Sequence, residues 1–284
     1  MQNKKILLTG GTGFIGKNIL KLLGGKYEIF SPSRKELNIS DQQSVDNYLS
    51  DKKFDIVIHC AIPTPWRNDI DKDTDILDYT MRGLFNLKFH EKEFEKIIYV
   101  GSGAEFDKSE DIVDAKETDI GKRIPKDAYG YAKYILNQIA NSSCNIYNLR
   151  IFGCYGEEEH EFRLIRSLVE EYLTKSTMTI RQDCVFSYVL VDDLICIMDW
   201  VINNNPKYHE YNVCNPKKYK LSELAKIIAI QLNAKVETVI KKDGFNKEYS
   251  GNCSRLLNEL KDFEFTPIED GIKQEIKWLK NKQV

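Results

Sequence analysis

Short runs rich in Ile, Val, Leu, Tyr and Phe recur along the first half of the chain: KKILLTG, YEIFS, FDIVIHC, KIIYVGS and NIYNLRIF. Segments with helical periodicity separate most of them. Repeated strand-then-helix patterning is the mark of βαβ units, so it predicts an α/β fold built on a doubly wound parallel sheet. Past about residue 157 the rhythm changes. EFRLIRSLVEEYL reads as an amphipathic helix, MTIRQ as a brief strand, and LSELAKIIAIQL and EDGIKQEIKWL as further helices, which together predict a smaller, mostly helical C-terminal lobe. No Pro/Gly/Ser-rich linker parts the two, so the chain is expected to cross between them. Residues 1–157, with a return of about 184–203, belong to the larger unit, and 158–183 and 204–284 to the smaller.

A length of 284 residues, 42 % hydrophobic and 30 % charged, suits one large α/β unit carrying a smaller one. Lys+Arg 41 nearly cancel Asp+Glu 43, and no basic stripe is present to neutralise a run of phosphates, which argues against nucleic acid as a partner. The start MQNKKILLTG has too short an apolar run for a signal peptide, and no stretch approaches the roughly 18 apolar residues of a membrane span. A cytoplasmic protein without a membrane partner is expected. The seven cysteines, at 60, 144, 154, 184, 196, 214 and 253, are scattered without a CxxC spacing. That fits reduced thiols in the core and offers no zinc site; no bound metal is expected.

Chemistry enters with LLTGGTGFIGKNIL. The strand ends at Thr9, and Gly10, Gly13 and Gly16 follow at three-residue intervals before a helix opens. Glycines there permit a tight turn and let N–H groups at the helix start approach a pyrophosphate, where the helix dipole favours negative charge. The spacing is GxxGxxG rather than GxGxxG. Farther on, DAYGYAKYIL sets Tyr129 and Tyr131 just ahead of Lys133 on one helix. Residues i and i+4 share a face, so Tyr129 lies over Lys133, whereas Tyr131 points the other way and is expected only to pack. A phenol near an ammonium ionises more easily than its free pKa of about 10 allows, which suits Tyr129 to exchanging a proton with a substrate oxygen. Upstream, at the end of a strand, YVGSGAEF offers Ser102 for a further hydrogen bond to that oxygen.

Glycine loop, strand-end serine and YxxxK together resemble the extended short-chain dehydrogenase/reductases, the branch holding nucleotide-sugar epimerases, dehydratases and 4-keto reductases. The resemblance spans nearly the whole chain. DIVIHCAI resembles that family's VIHxAA strand end, GLFNL its GTxNL helix, YVLVDDL its xxVDD turn and YNVCNPKKYKLSELA its YNVGxGxxxSxxEL segment, and the C-terminal stretch from CSRLLNEL to GIKQEIKWL resembles its ending. It implies a Rossmann-type domain with a substrate-binding lobe. It also implies Tyr129 as the acid/base, Lys133 on the nicotinamide ribose and lowering the tyrosine pKa, and Ser102 on the carbonyl oxygen. Implied cofactor contacts are Gly10, Gly13, Phe14, Ile15, Gly16, Ser33, Arg34, Asn38, Ile39, Cys60, Ala61, Ile62 and Phe152 beside Lys133. Glu105 and Gly153 join Ser102 and Tyr129 around the substrate.

Departures from the pattern narrow the chemistry. Family dehydratases follow the hydroxyl with Asp-Glu, whereas Gly103 and Ala104 follow Ser102 and disfavour dehydration. Reductases that also epimerise carbon place a cysteine where Ala104 stands. Cys154 and His160 lie near that group's second acid/base, but are read as a core cysteine and a solvated helix-start histidine rather than as a proton shuttle. Glu105 reads either as a sugar-hydroxyl contact or as an exposed loop carboxylate. Gly153 replaces the asparagine of RxxNxYG and Phe186 the arginine of RDF, which leaves the usual sugar-phosphate contacts without an owner. In FSPSRKELNISD, Ser33 and Arg34 stand where an NAD enzyme offers a carboxylate to the ribose, so the expected cofactor is NADP(H).

The resulting expectation is an NADPH-dependent reductase of a GDP-, CDP- or dTDP-linked 4-keto-6-deoxy sugar, in deoxysugar biosynthesis for surface polysaccharide. A nucleotide-sugar 4-epimerase with retained NAD(P) and a non-catalytic NADP-sensing protein are the alternatives. Two helices, DTDILDYTMRGLFNLKFH and DAYGYAKYILNQIA, carry Leu77, Met81, Leu84, Phe85, Tyr131, Ile135 and Ile139, more apolar side chains than one sheet face requires. The resembling family pairs these helices across a two-fold axis, so a homodimer is expected.

Overall fold

Apolar runs without alternation are satisfied where both faces of a sheet are covered. The computed structural model describes residues 4–63, 75–234, 236 and 238–282. In chain order it contains β1 (Lys5–Thr9), α1 (Phe14–Leu23), β2 (Glu28–Phe30), α2 (Gln42–Leu49), β3 (Ile56–His59), α3 (Ile76–Phe89), β4 (Lys96–Ser102), β5 (Ile112–Ala115), α4 (Ala128–Ser142) and β6 (Ile146–Ile151). There follow β7 (Gly153–Tyr155), α5 (Leu164–Lys175), β8 (Met178–Asp183), β9 (Val185–Leu190), α6 (Val191–Asn203), β10 (Glu210–Val213), β11 (Lys218–Lys220), α7 (Leu221–Gln231), β12 (Thr238–Phe245), β13 (Tyr249–Gly251), α8 (Ser254–Glu259) and α9 (Ile268–Lys282).

Six strands form a wholly parallel sheet in the order β10-β6-β4-β3-β1-β2. Every residue of β3 and β4 is buried, as their unbroken apolar character demands. On one face Ile19 of α1 and Leu194 and Met198 of α6 pack against Ile6, Ile58 and Ile98. On the other, Val45 of α2, Leu84 of α3 and Leu136 of α4 pack against Leu7, Val57 and Ile97. The chain leaves β1 for β2 on one side and returns to β3 on the other. The connections that follow β1 and β3 therefore run on to opposite faces of the sheet and open a crevice beyond the strand ends.

The domain boundary read from the sequence needs correction. Residues 210–213, placed there in the smaller lobe, are the edge strand of the large sheet, with Tyr211 opposite Leu149 of β6. Without β10, the buried strand β6 would end the sheet with unpaired backbone groups. The smaller lobe is also less helical than its periodicity suggests. A second sheet runs β11-β9-β13-β5, with β7 also on β9, and β8 pairs with β12. Helices α5, α7 and α9 close over Tyr155, Leu168, Ile228 and Ile272. Lys17 and Lys21 of α1 pair with Glu158 and Glu157 of the loop after β7, and Asn18 donates to the Glu157 carbonyl at 2.7 Å, tying the lobes together. Cys154, Cys184, Cys214 and Cys253 are buried as expected, but Cys144 and Cys196 are exposed. Among the described residues no helix is long and apolar enough to cross a membrane.

Candidate active site

The glycine loop lies at the crevice. Gly10 has φ +78°, and a Cβ on it would sit 2.7 Å from the Ala61 nitrogen, so only glycine lets the loops after β1 and β3 meet. Gly13 donates its N–H to the Gly10 carbonyl at 3.0 Å. Helices α2, α3 and α4 each begin with an aspartate that accepts first-turn N–H groups: Asp41, Asp75 and Asp127. Helix α1 begins at Gly13 with no side-chain cap and no acid in its first turn. The N–H groups at Phe14, Ile15 and Gly16, in the first turn, thereby have no side-chain cap, an arrangement that suits an anionic ligand. Cys60 and Ala61 form the opposite lip, donating to the Thr9 carbonyl at 3.1 Å and the Thr9 hydroxyl at 3.4 Å, with Ile62 half-buried beside them. His59, not singled out from the sequence, hydrogen-bonds Thr9 Oγ1 through Nδ1 at 2.8 Å. Burial, and then the charge of Lys133, push it down to about 3, so it is a neutral prop of the loop.

At the far end of the crevice the expected ribose contacts divide. Arg34 is exposed, its guanidinium 4.7 Å from the centre of the Tyr79 ring. Ser33 is held by Glu36, whose carboxylate accepts both its N–H and its hydroxyl at 2.8 Å. Asn38 closes the same turn, accepting from the Ser40 hydroxyl at 2.9 Å. Ile39 is a correction. Its side chain is in the core and its carbonyl accepts from Asn86 at 2.8 Å, so it braces the turn rather than facing a ligand.

Strand β4 and helix α4 bring Ser102, Tyr129 and Lys133 together. Ser102 ends β4, and its Oγ accepts the Ala104 N–H at 3.2 Å while its own N–H donates to Glu105 at 2.9 Å. This fixes the serine hydroxyl beside the Tyr129 phenol. Tyr129 and Lys133 share a face of α4 as their spacing predicts, the ammonium lying 5.9 Å from the Tyr129 ring centre and 4.4 Å from that of Tyr99. Lys133 donates to the Val100 carbonyl at 2.7 Å. Burial pushes its ammonium down to about 8, while the Glu105 carboxylate works against that shift. The Tyr129 phenol differs from expectation: burial raises its pKa, and the Ser102 hydroxyl draws it only partly back. With the ammonium engaged by Val100, desolvation governs the phenol.

Glu105 is a second correction. It is fully buried, 0 % exposed, with Arg150 Nε at 2.7 Å and Asn148 Nδ2 at 3.1 Å. Arg150 continues the network to Glu210 at 2.5 Å and Asn212 at 2.9 Å. Glu105 therefore anchors the backbone of Ser102 from behind and does not touch the cleft. The signal for this was present: an arginine inside the buried run NIYNLRIF requires a carboxylate partner.

The replacements at 153 and 186 both border Tyr188. A Cβ on Gly153 would lie 2.8 Å from the Tyr188 ring and 2.9 Å from the Ser187 carbonyl, so no asparagine fits while Tyr188 is there. Gly153 is thus a spacer for an aromatic layer and not a polar substrate contact. Phe186 stacks within that layer, 5.1 Å from Tyr188 and 4.8 Å from Tyr249, and Phe152 lies 5.2 Å from Tyr249. Phe152, expected at the cofactor, forms the inner edge of this wall. Tyr249 escaped the sequence reading because a three-residue strand far along the chain delivers it; its Oη is 3.4 Å from Ser102 Oγ. Cys154 is buried and its thiol is pushed far up by that burial, which removes it from proton transfer. His160 rests against Phe162, ring centres 4.9 Å apart. Arg163, at the start of α5, reaches Glu159 at 3.3 Å, and its charge lowers the pKa of both Tyr129 and Tyr249.

A dinucleotide-type crevice that ends on a serine, a phenol and a buried ammonium defines an oxidoreductase of the nicotinamide-dependent α/β class. Comparison with known proteins narrows this: the profile of the NAD dependent epimerase/dehydratase family matches residues 6–214, and the chain belongs to that family. It is 26 % identical to a GDP-L-colitose synthase of Yersinia pseudotuberculosis, covering 98 % of this chain and 99 % of that one. It is likewise 26 % identical to a GDP-6-deoxy-D-talose 4-dehydrogenase of Aggregatibacter actinomycetemcomitans, over 93 % and 94 %. Its fold superposes on a GDP-L-fucose synthetase from Naegleria fowleri bound to NADP with a TM-score of 0.83, 17 % identity, and coverage of 100 % and 96 %.

Proposed function

We propose that this chain is an NADPH-dependent reductase acting on the C4 ketone of a nucleotide-linked 4-keto-6-deoxy sugar. The feature that carries the direction of reaction is the turn after β2, where Ser33 and Arg34 stand in place of the carboxylate that an NAD enzyme offers to the ribose. A reductase needs its tyrosine as an acid, whereas an epimerase must first use it as a base to oxidise an alcohol. A reductase also consumes NADPH at each turnover whereas an epimerase recycles a retained NAD, so this turn favours the first role. Gly10, whose missing Cβ makes room at the crevice, the uncapped start of α1, and Lys133 would hold the dinucleotide, with Arg34 at its 2′-phosphate. Bound there, NADPH supplies the hydride. Tyr129 gives its proton to the oxygen at C4, and Ser102 donates a hydrogen bond to that oxygen as charge develops. The aromatic layer of Phe152, Phe186, Tyr188 and Tyr249 suits a deoxygenated, apolar sugar edge better than a fully hydroxylated one. The two GDP-deoxysugar relatives support the same substrate class.

The test is NADPH oxidation with GDP-, CDP- and dTDP-4-keto-6-deoxy sugars made in situ by a dehydratase. One NADPH is expected to be consumed per sugar reduced. NADPH is expected to bind about tenfold tighter than NADH, a difference of about 1.4 kcal/mol, and Arg34→Ala should narrow that gap. Tyr129→Phe should lower turnover by about 10²–10⁴-fold with NADPH affinity retained. Sugar interconversion without net NADPH consumption would establish the epimerase instead.

A further inference from the structure

Two phenols, not one, reach the serine at the end of β4. Tyr129 comes from α4, as the sequence spacing requires. Tyr249 comes from β13 in the other lobe, and its Oη lies 3.4 Å from Ser102 Oγ. The Ser102 oxygen already accepts the Ala104 N–H at 3.2 Å, so its own hydrogen is free to point onward. Tyr249 is clamped from three sides. Phe152 and Phe186 flank its ring with centres at 5.2 and 4.8 Å, and β13 pairs with both β5 and β9 at this residue. A Cβ on Gly103 would fall 2.7 Å from the Tyr249 oxygen, so the GSG turn is what admits the hydroxyl to the serine. A phenol held this firmly costs no reordering at the moment charge appears next to it.

We propose that Tyr249 is a third hydroxyl of the reaction centre, donating a hydrogen bond, alongside Ser102, to the sugar oxygen that takes up negative charge during reduction. This rests on the reductase reading above. Hydride adds to the ketone carbon, the C=O π pair moves to oxygen, Ser102 and Tyr249 share the resulting charge, and the proton comes from Tyr129. The division of labour between the phenols follows from their surroundings. Burial raises Tyr249 far above the ordinary tyrosine value, so it stays a donor and does not ionise. Among the described residues the Tyr249 hydroxyl is placed against Ser102, while Glu105, whose charge raises the Tyr249 pKa further, is itself engaged by Arg150.

The decisive variant is Tyr249→Phe, which keeps the ring and the wall and removes only the hydroxyl. With GDP-4-keto-6-deoxymannose and the other ketones of the panel, kcat should fall by about 10²-fold while KM, NADPH affinity and melting temperature hold. Because Ser102 and Tyr249 serve one oxygen, the loss in Ser102→Ala/Tyr249→Phe should be clearly smaller than the product of the single losses. The pH–rate profile of Tyr249→Phe should keep its wild-type shape. A raised KM at unchanged kcat, fully multiplicative losses, or a displaced profile would each overturn the assignment. Wild-type protein inert toward every ketone would sink the reductase reading itself, whereas active wild type with an equally active Tyr249→Phe would sink this inference alone.

Discussion

Lys133 carries its charge in surroundings that resist it, and two opposite pH trends follow from that one side chain. Its ammonium is present below about 8 and lost above it. If that charge holds the dinucleotide, NADPH should bind with constant affinity below about 8 and progressively more weakly above it, and Lys133→Met should bind weakly at every pH. Fluorescence titration across this range checks it; a pH-independent wild-type affinity would count against Lys133 as the ligand. Folding stability runs the other way. The unfolded lysine keeps its proton to about 10.5, so between about 8 and 10.5 the unfolded chain binds more protons than the folded one, and stability rises with pH. The same reasoning makes Arg150 legible in hindsight: a guanidinium with no exposure is tolerable only with Glu105 and Glu210 against it.

At the level of elements, helix α6 ends on a lysine from another strand. Lys96 is buried at the start of β4 and donates to the carbonyls of Val201, Ile202 and Asn204 at 3.0, 3.2 and 2.5 Å. These are carbonyls that the last turn of a helix leaves without partners. Lys96→Met should therefore cost about 1–3 kcal/mol in urea unfolding, with an unchanged m-value; an unshifted midpoint would show the cap to be idle. The contrast between the sheets shows what sequence can reveal. Strands β1, β3, β4 and β6 announce themselves because both faces are buried, and α4 because Asp127 and a 3.6-residue period mark it. The second sheet gives no such sign: β7, β11 and β13 are three residues long, and β13 finds β5 across more than a hundred residues. Tyr249 was hidden for that reason, and Glu105 was misplaced because its partner Arg150 lies on a different strand.

For the whole molecule, the described residues of α3 and α4 present an exposed apolar stripe. Along α3, Leu77, Met81, Phe85 and Phe89 recur every fourth residue, and Phe85 and Phe89 are 45 % and 78 % exposed. Tyr131 of α4, expected only to pack, is 38 % exposed beside them. Leu84 and Ile139, counted from the sequence with this face, instead point into the sheet. We propose that the remaining stripe pairs with its own copy about a two-fold axis, making a four-helix interface. Light scattering at micromolar concentration should give twice 33.0 kDa. Phe85→Asp should shift the particle to monomer while preserving the helix content; a wild-type monomer would dispose of the dimer.

The fit around Gly153 also sets how the position responds to change. A Cβ there would start 2.8 Å from the Tyr188 ring and 2.9 Å from the Ser187 carbonyl, one a side chain and the other backbone. Shrinking residue 188 alone therefore leaves the carbonyl in the way, and any side chain at 153 has to move strand β9 itself.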